Sequence, residues 1–211
     1  MGGATPRKRP GVVYCSSFFS TSEETGVIRN QSIPGCDEDG FIPVHTLRAA
    51  AKSESAEEFA RRYPTACLYV VDVGKVTGGD PDATVEPGGV QLLTMLDKGK
   101  SAFRYLDQVG FLVKRPGNPF PNFVSVGRAM NNDVVMSVET VSKLHAYFTF
   151  EDGGWMITDH RSTNGTQLNG RTVPPEMPEP VADGDRILFG KEVSVVFLSP
   201  EALYERTKAG I

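Results

Sequence analysis

After about residue 100 the chain settles into short apolar runs separated by Gly, Asn, Asp and Pro: VGFLV, FVSVGR, DVVM, HAYFTF, WMITD, RILFG and VSVVFL. They recur at roughly 8–12-residue spacing, the pattern of a β-sandwich or barrel. Asn164-Gly165 and Asn169-Gly170 offer the positive φ angles that tight hairpins need. Ser199 followed by Pro200 reads as an N-cap and first helical position, so a short helix is predicted to close the chain. Upstream, Pro43 to Tyr63 is helical in two short pieces. The second opens on the capping-box pair Ser55 and Glu58 and is stopped by Pro64. ACLYVVDVG, Ala66 to Gly74, is a continuous apolar, β-branched run and reads as a buried strand. GGDPDATVEPGG, Gly78 to Gly89, reads as a loop. Residues 1–40 lack periodicity and are predicted to form a flexible tail, although VVYCSSFF has the composition of one strand. No internal repeat is visible.

Composition narrows the class. The chain has 211 residues, 39% of them apolar and 23% charged, enough to bury a sizeable core. Net charge is -4, and the halves before and after residue 100 each carry 11 basic and 13 acidic residues. No dense basic face is therefore expected, which argues against nucleic-acid and membrane-surface partners. No apolar run is long enough to span a bilayer, and the basic start is followed by YCSSFFSTSEE rather than a cleavable apolar stretch, so a cytoplasmic location is expected. Cys15, Cys36 and Cys67 are odd in number and widely spaced, which suits a reducing compartment and neither a disulfide framework nor a metal knuckle.

Candidate chemistry lies in the second half. Reading along the chain gives Gly127-Arg128, Asn132-Asp133, Ser142-Lys143-Leu144-His145, Asp159-His160-Arg161-Ser162-Thr163-Asn164-Gly165-Thr166, Asn169-Gly170, and Asp183 through Gly190. Each piece has a plain reading alone: Gly-Arg as a strand end with a solvated arginine, Asn-Gly as a turn. The ordered set, over about residues 102–199, closely resembles the forkhead-associated (FHA) domain, a phosphothreonine-binding β-sandwich with the pattern GR, SxxH, D-x-x-S-T-N-G-T and GD-x-I-x-F-G. The resemblance implies an all-β sandwich of about 10–11 strands spanning 101–199. An N-terminal α/β or partly disordered extension of unknown role (41–100) and a C-terminal helix (200–211) would flank it, and a fragment from about residue 100 is expected to fold alone.

The resemblance also assigns roles. Arg128 and Ser142 would bind the phosphate, Lys143 and Thr163 would assist, and Asn164 would hold the ligand backbone. His145, with Gly127 and Gly165, would brace the loops without touching phosphate. The chemistry is consistent: a phosphothreonine brings roughly -1.5 to -2 charges and three acceptor oxygens, and a guanidinium meets two of them at once. Gly184-Asp185 and Gly190 would shape late turns, Asn169-Gly170 a plain turn, and Trp155 the core. Two departures stand out. Many family members have Arg or Asn where Lys143 stands, and VPPEMPEP, Val173 to Pro180, is a proline-rich insert of unknown role.

A hydrolase triad of Ser142, His160 and Asp159 has poor support: there is no GxSxG elbow, and adjacent residues on a strand point to opposite faces. No cofactor or metal is expected. Two non-enzymatic classes remain. One is a phosphothreonine reader in Ser/Thr-kinase signalling, its partner a phosphothreonine-containing protein such as a kinase or kinase substrate. The other is an FHA-like scaffold or assembly subunit that does not need phosphate. The complete set Arg128, Ser142, Thr163 and Asn164 favours the first.

Overall fold

A computed structural model of the protein describes residues 33–73 and 102–210. The VVYCSSFF segment and the Gly78–Gly89 loop lie outside them. The described chain runs β1 (Phe41–Pro43), α1 (Val44–Ser53), α2 (Ala56–Arg62), β2 (Cys67–Val73), a 3-10 turn (Ala102–Tyr105), β3 (Gln108–Phe111), β4 (Val124–Gly127), β5 (Val134–Val135), β6 (Ala146–Glu151), β7 (Gly154–Asp159), β8 (Thr166–Leu168), β9 (Arg171–Thr172), β10 (Glu179–Val181), β11 (Arg186–Phe189), β12 (Val193–Leu198) and α3 (Pro200–Ala209). Two sheets face each other, one in the order β1-β3-β2-β12-β11-β8-β9 and one in the order β10-β7-β6-β4-β5. Strand pairing is antiparallel except for the parallel β4–β5 pair.

Alternation decides which side chains meet. From the five-stranded sheet, Val124, Val126, Phe148, Trp155 and Ile157 point inward. Leu68, Val70, Ile187, Phe189, Val195 and Phe197 face them from the other sheet, and all are buried. Fully burying one such side chain stabilises the fold by about 1.5–3 kcal/mol. Trp155 is part of this core, as its sequence context predicts, edge-on to Phe148 and Phe197.

A second apolar layer explains why VSVVFL is apolar at nearly every position. Val196 and Leu198 of β12, with Cys67 and Tyr69 of β2, face away from the sandwich and are covered by Leu47 of α1, Phe59 of α2 and Leu203 and Tyr204 of α3. A strand buried on both faces needs no polar alternation. The helices form where the sequence signals them. Ser55 accepts from the Glu58 amide while the Glu58 carboxylate accepts from the Ser55 amide, closing the capping box on α2. Ser199 caps α3 through the Ala202 amide, and Gly210 ends that helix in the left-handed conformation.

Three expectations need correction. First, β2 lies between β3 and β12 in the larger sheet, so a division at residue 100 runs through a sheet. Residues 41–73 are two of its strands and most of its helical cover, not an appendage. The sandwich accordingly has twelve strands among the described residues, ten of them after residue 101. Second, residues 33–40 belong to the folded body rather than to a tail, since Ile33 and Asp39 are buried. Asp39 pairs with Arg104 at 2.5 Å, accepts from the Tyr105 hydroxyl and gives its backbone carbonyl to the Val135 amide. An acidic stretch without periodicity hides such contacts because a buried carboxylate is fixed by distant partners. Third, Asn164-Gly165 is not a hairpin turn: β8 pairs with β9 and β11, not with β7. Asn169-Gly170, with φ of 52° and 78°, is the hairpin turn, joining β8 to β9.

Candidate functional site

Four loops meet at one end of the sandwich: residues 128–133 after β4, 136–145 after β5, 160–165 after β7 and 173–178 after β9. The first two are stitched by backbone bonds from the Arg128 amide to the Ser142 carbonyl (2.9 Å) and from the Ala129 amide to the Lys143 carbonyl (3.1 Å). Gly127 makes this approach possible, because a Cβ there would sit 2.5 Å from the Lys143 carbonyl oxygen. The side chain of Asn132 finishes the seam, donating to the carbonyls of Ala129 (2.7 Å) and Lys143 (2.6 Å).

Arg128 leaves this seam as an exposed side chain anchored at one point, its Nε donating to the Val141 carbonyl at 3.1 Å. Its terminal amino groups have no partner among the described residues, and neither does the ammonium of exposed Lys143. The Ser142 Oγ accepts from the Thr163 amide at 3.0 Å and lies 3.4 Å from the Thr163 hydroxyl. Both hydroxyls therefore stand together at the surface, with protons able to turn outward. Asn164 donates from Nδ2 to the Thr140 carbonyl at 2.8 Å, tying the 160–165 loop to the 136–145 loop.

His145 is fully buried behind these groups. Its Nδ1 accepts from the Ser142 amide at 3.0 Å and its Nε2 donates to the Gly165 carbonyl at 3.1 Å. These partners assign the neutral tautomer with the proton on Nε2. Burial holds its pKa below the ordinary value, opposed by the Gly165 carbonyl and the nearby Asp159 charge. The histidine is thus a strut between the two loops, and the Gly165 carbonyl also accepts from the Gly190 amide.

Three further residues of the motif make contacts that the sequence pattern does not specify. Asp159, buried at the end of β7, accepts from the Ser162 amide (2.9 Å), the Ser162 hydroxyl (2.6 Å) and the Thr166 hydroxyl (2.6 Å), fixing both ends of the 160–165 loop. Its signal is present all the same: an aspartate followed three residues later by serine favours a side-chain-to-backbone turn. Gly190, with φ of 65°, lets its backbone approach Thr140, where a Cβ would meet the carbonyl oxygen at 2.5 Å. Asn132 is indistinguishable from any loop asparagine until the seam it closes is seen.

The groups of a hydrolytic relay are not connected. The Ser142 hydroxyl contacts Thr163, His160 pairs with Glu176 at 3.1 Å, and Asp159 is occupied by Ser162 and Thr166. Burial pushes the Cys36 thiol up to about 12 and raises that of Cys67, so neither is a thiolate at neutral pH. Among the described residues no three His, Cys, Asp or Glu side chains gather to hold a metal, and no helix is long and apolar enough to cross a membrane.

The family model described as the FHA domain matches residues 124–190, the stretch that holds nearly all of this site. Among similar proteins, the oxoglutarate dehydrogenase inhibitor of Corynebacterium diphtheriae is 30% identical over 129 residues, covering 61% of this chain and 79% of that protein. The glycogen accumulation regulator GarA of Mycolicibacterium smegmatis is 32% identical over 97 residues, covering 43% of this chain and 60% of that protein. Against an ABC transporter ATP-binding/permease protein of Mycobacterium tuberculosis, 38% identical over 77 residues, the match covers 36% of this chain and 8% of the relative. A solution structure of the FHA domain of an Arabidopsis thaliana hypothetical protein aligns with TM-score 0.42 at 22% identity, covering 64% of this chain and 85% of that one. The chain belongs to the FHA-domain family.

Proposed function

We propose that this protein is a phosphothreonine-dependent docking module that recruits phosphorylated partner proteins in Ser/Thr-kinase signalling. Arg128 and Ser142 bind the phosphate, Lys143 and Thr163 assist, and Asn164 orients the ligand chain, while Gly127, His145 and Gly165 support the loops. The observation that carries this reading is the state of Arg128. Its Nε is spent on the Val141 carbonyl, which fixes the guanidinium, and its two terminal amino groups are left to an incoming ligand next to the Ser142–Thr163 pair. A pre-oriented fork of this kind suits a phosphate, which accepts two parallel hydrogen bonds. The two relatives named as an inhibitor and as a regulator agree with a role exercised through binding. Asn164 commits one amide hydrogen to the Thr140 carbonyl, which leaves its side-chain oxygen and second N–H for the ligand backbone.

A phosphothreonine peptide library, screened against wild type and Arg128→Ala, tests the reading. Wild type is expected to select peptides that lose affinity on dephosphorylation. The variant should lose about 2–5 kcal/mol of binding to the best of them, because the main charge partner of a partly desolvated phosphate is gone. Arg128→Lys should recover only part of this, since an ammonium lacks the fork. Equal binding by Arg128→Ala would remove Arg128 from the site.

A further inference from the structure

The proline-rich loop at 173–178 is the one member of the loop cluster to which the reading above gives no task. Its backbone docks on the start of the recognition loop: the Glu176 amide donates to the Asp159 carbonyl at 2.9 Å, and Pro175 forms a parallel bridge with Asp159. This fixes the Glu176 side chain, whose Oε1 lies 3.1 Å from His160 Nδ1 and 3.6 Å from Arg161 Nε. Glu176 and Arg161 both hold the left-handed backbone conformation, with φ of 59° and 49°. Such backbone persists in non-glycine residues where the surroundings over-determine it.

Stability does not account for the Glu176–Arg161 pair. Arg161 is 80% exposed and the contact is long, so water and salt screen most of its energy. Its effect is on the charge the ligand meets. The four loops present Arg128, Lys143 and Arg161 as exposed cations. Their acidic residues are Asp133, buried against Lys114 at 2.7 Å, Glu139, and Glu176. Glu176 is the acid that stands on the recognition loop, where it offsets Arg161 and leaves Arg128 and Lys143 to the phosphate.

Resting on the phosphothreonine reading, we infer that Glu176 sets the charge preference for ligand side chains that flank the phosphothreonine and pass the Asp159–Thr166 side of the site. Screening of Arg161 by Glu176 withholds attraction from acidic flanking residues and tolerates basic ones. The proline-rich loop is in this sense a specificity element: the prolines on either side of Glu176 stiffen its placement.

The test uses the best peptide from the library and two derivatives in which the residues flanking the phosphothreonine are all Asp or all Lys. Titrations compare wild type, Glu176→Gln, Arg161→Gln and the double variant. The glutamine of Glu176→Gln keeps an acceptor oxygen for His160 while removing the charge, so a merely structural role predicts no dependence on the ligand. Glu176→Gln is expected to shift the ratio of Asp-peptide to Lys-peptide affinity by about two- to five-fold toward Asp. The shift should shrink in 0.5 M salt, where the screening length falls to roughly 4 Å, and vanish when Arg161 is also replaced. An unchanged ratio, or an equal change for all three peptides, overturns the inference and leaves the phosphothreonine reading standing. Failure of wild type to bind any library peptide overturns both.

Discussion

His145 works only as a neutral ring. Nδ1 must accept the Ser142 amide proton, and a proton placed there would set two N–H donors against each other across 3.0 Å. Because burial holds the folded pKa below the ordinary value, the unfolded chain binds the proton more tightly than the folded one. The stability contributed by this residue is therefore fully present above the unfolded pKa, about 6.5, and is lost as pH falls through the lower folded value. Urea unfolding at pH 7.5 and at pH 5 should show wild type losing more stability than His145→Gln over that interval. A wild-type protein with the same pH response as the variant would mean the ring is not the titrating group. That the loops carrying Arg128, Ser142, Lys143, Thr163 and Asn164 come together was legible in the sequence, because these residues stand in one ordered motif. The contacts of Asn132 and Gly190 were not, although both residues stand in the motif and Gly190 reads as a turn former, because those contacts reach carbonyls more than ten residues away, those of Lys143 and Thr140.

At the scale of elements, the 160–165 loop is shaped mainly from beneath. Asp159 gathers two hydroxyls and one amide, and Thr163 and Asn164 ride on the turn thus formed. Asp159→Ala should cost about 2–4 kcal/mol, since it strands three donors in a largely buried site. Phosphopeptide affinity should fall although no ligand contact has been touched. Thermal unfolding together with peptide titration below the new midpoint separates the two effects. Normal affinity in the folded variant would show that the loop holds its shape without the aspartate. The strands and helices themselves were largely readable. Apolar runs marked β2, β6, β7, β11 and β12, and caps marked α2 and α3. What the pattern could not supply was strand order. A largely apolar β2 says that both faces are covered, but a run of β-branched residues does not name the strand beside it.

For the whole molecule, the described residues 33–73 and 102–210 share the same sheets and helical cover and are expected to fold as one unit. Removing residues 1–32, which carry none of the motif residues, is expected to leave phosphopeptide binding unchanged. Removing residues 1–100 takes away β1, β2, α1 and α2, uncovers Val196 and Leu198 and opens the middle of the larger sheet. That fragment should be unfolded or aggregated, as limited proteolysis and size-exclusion chromatography would reveal. A folded, peptide-binding 101–211 fragment would mean that β3 and β12 tolerate open edges. The position of β2 also has a consequence for biosynthesis. As the chain leaves the ribosome, β2 can pair with β3 once Phe111 has emerged, but its other edge waits for β12, ending at Leu198. Throughout that interval a strand apolar on both faces carries an open hydrogen-bonding edge and no helical cover from α3. The nascent protein is then most exposed to pairing with a neighbouring copy, and slow elongation across residues 112–198 would lengthen that window.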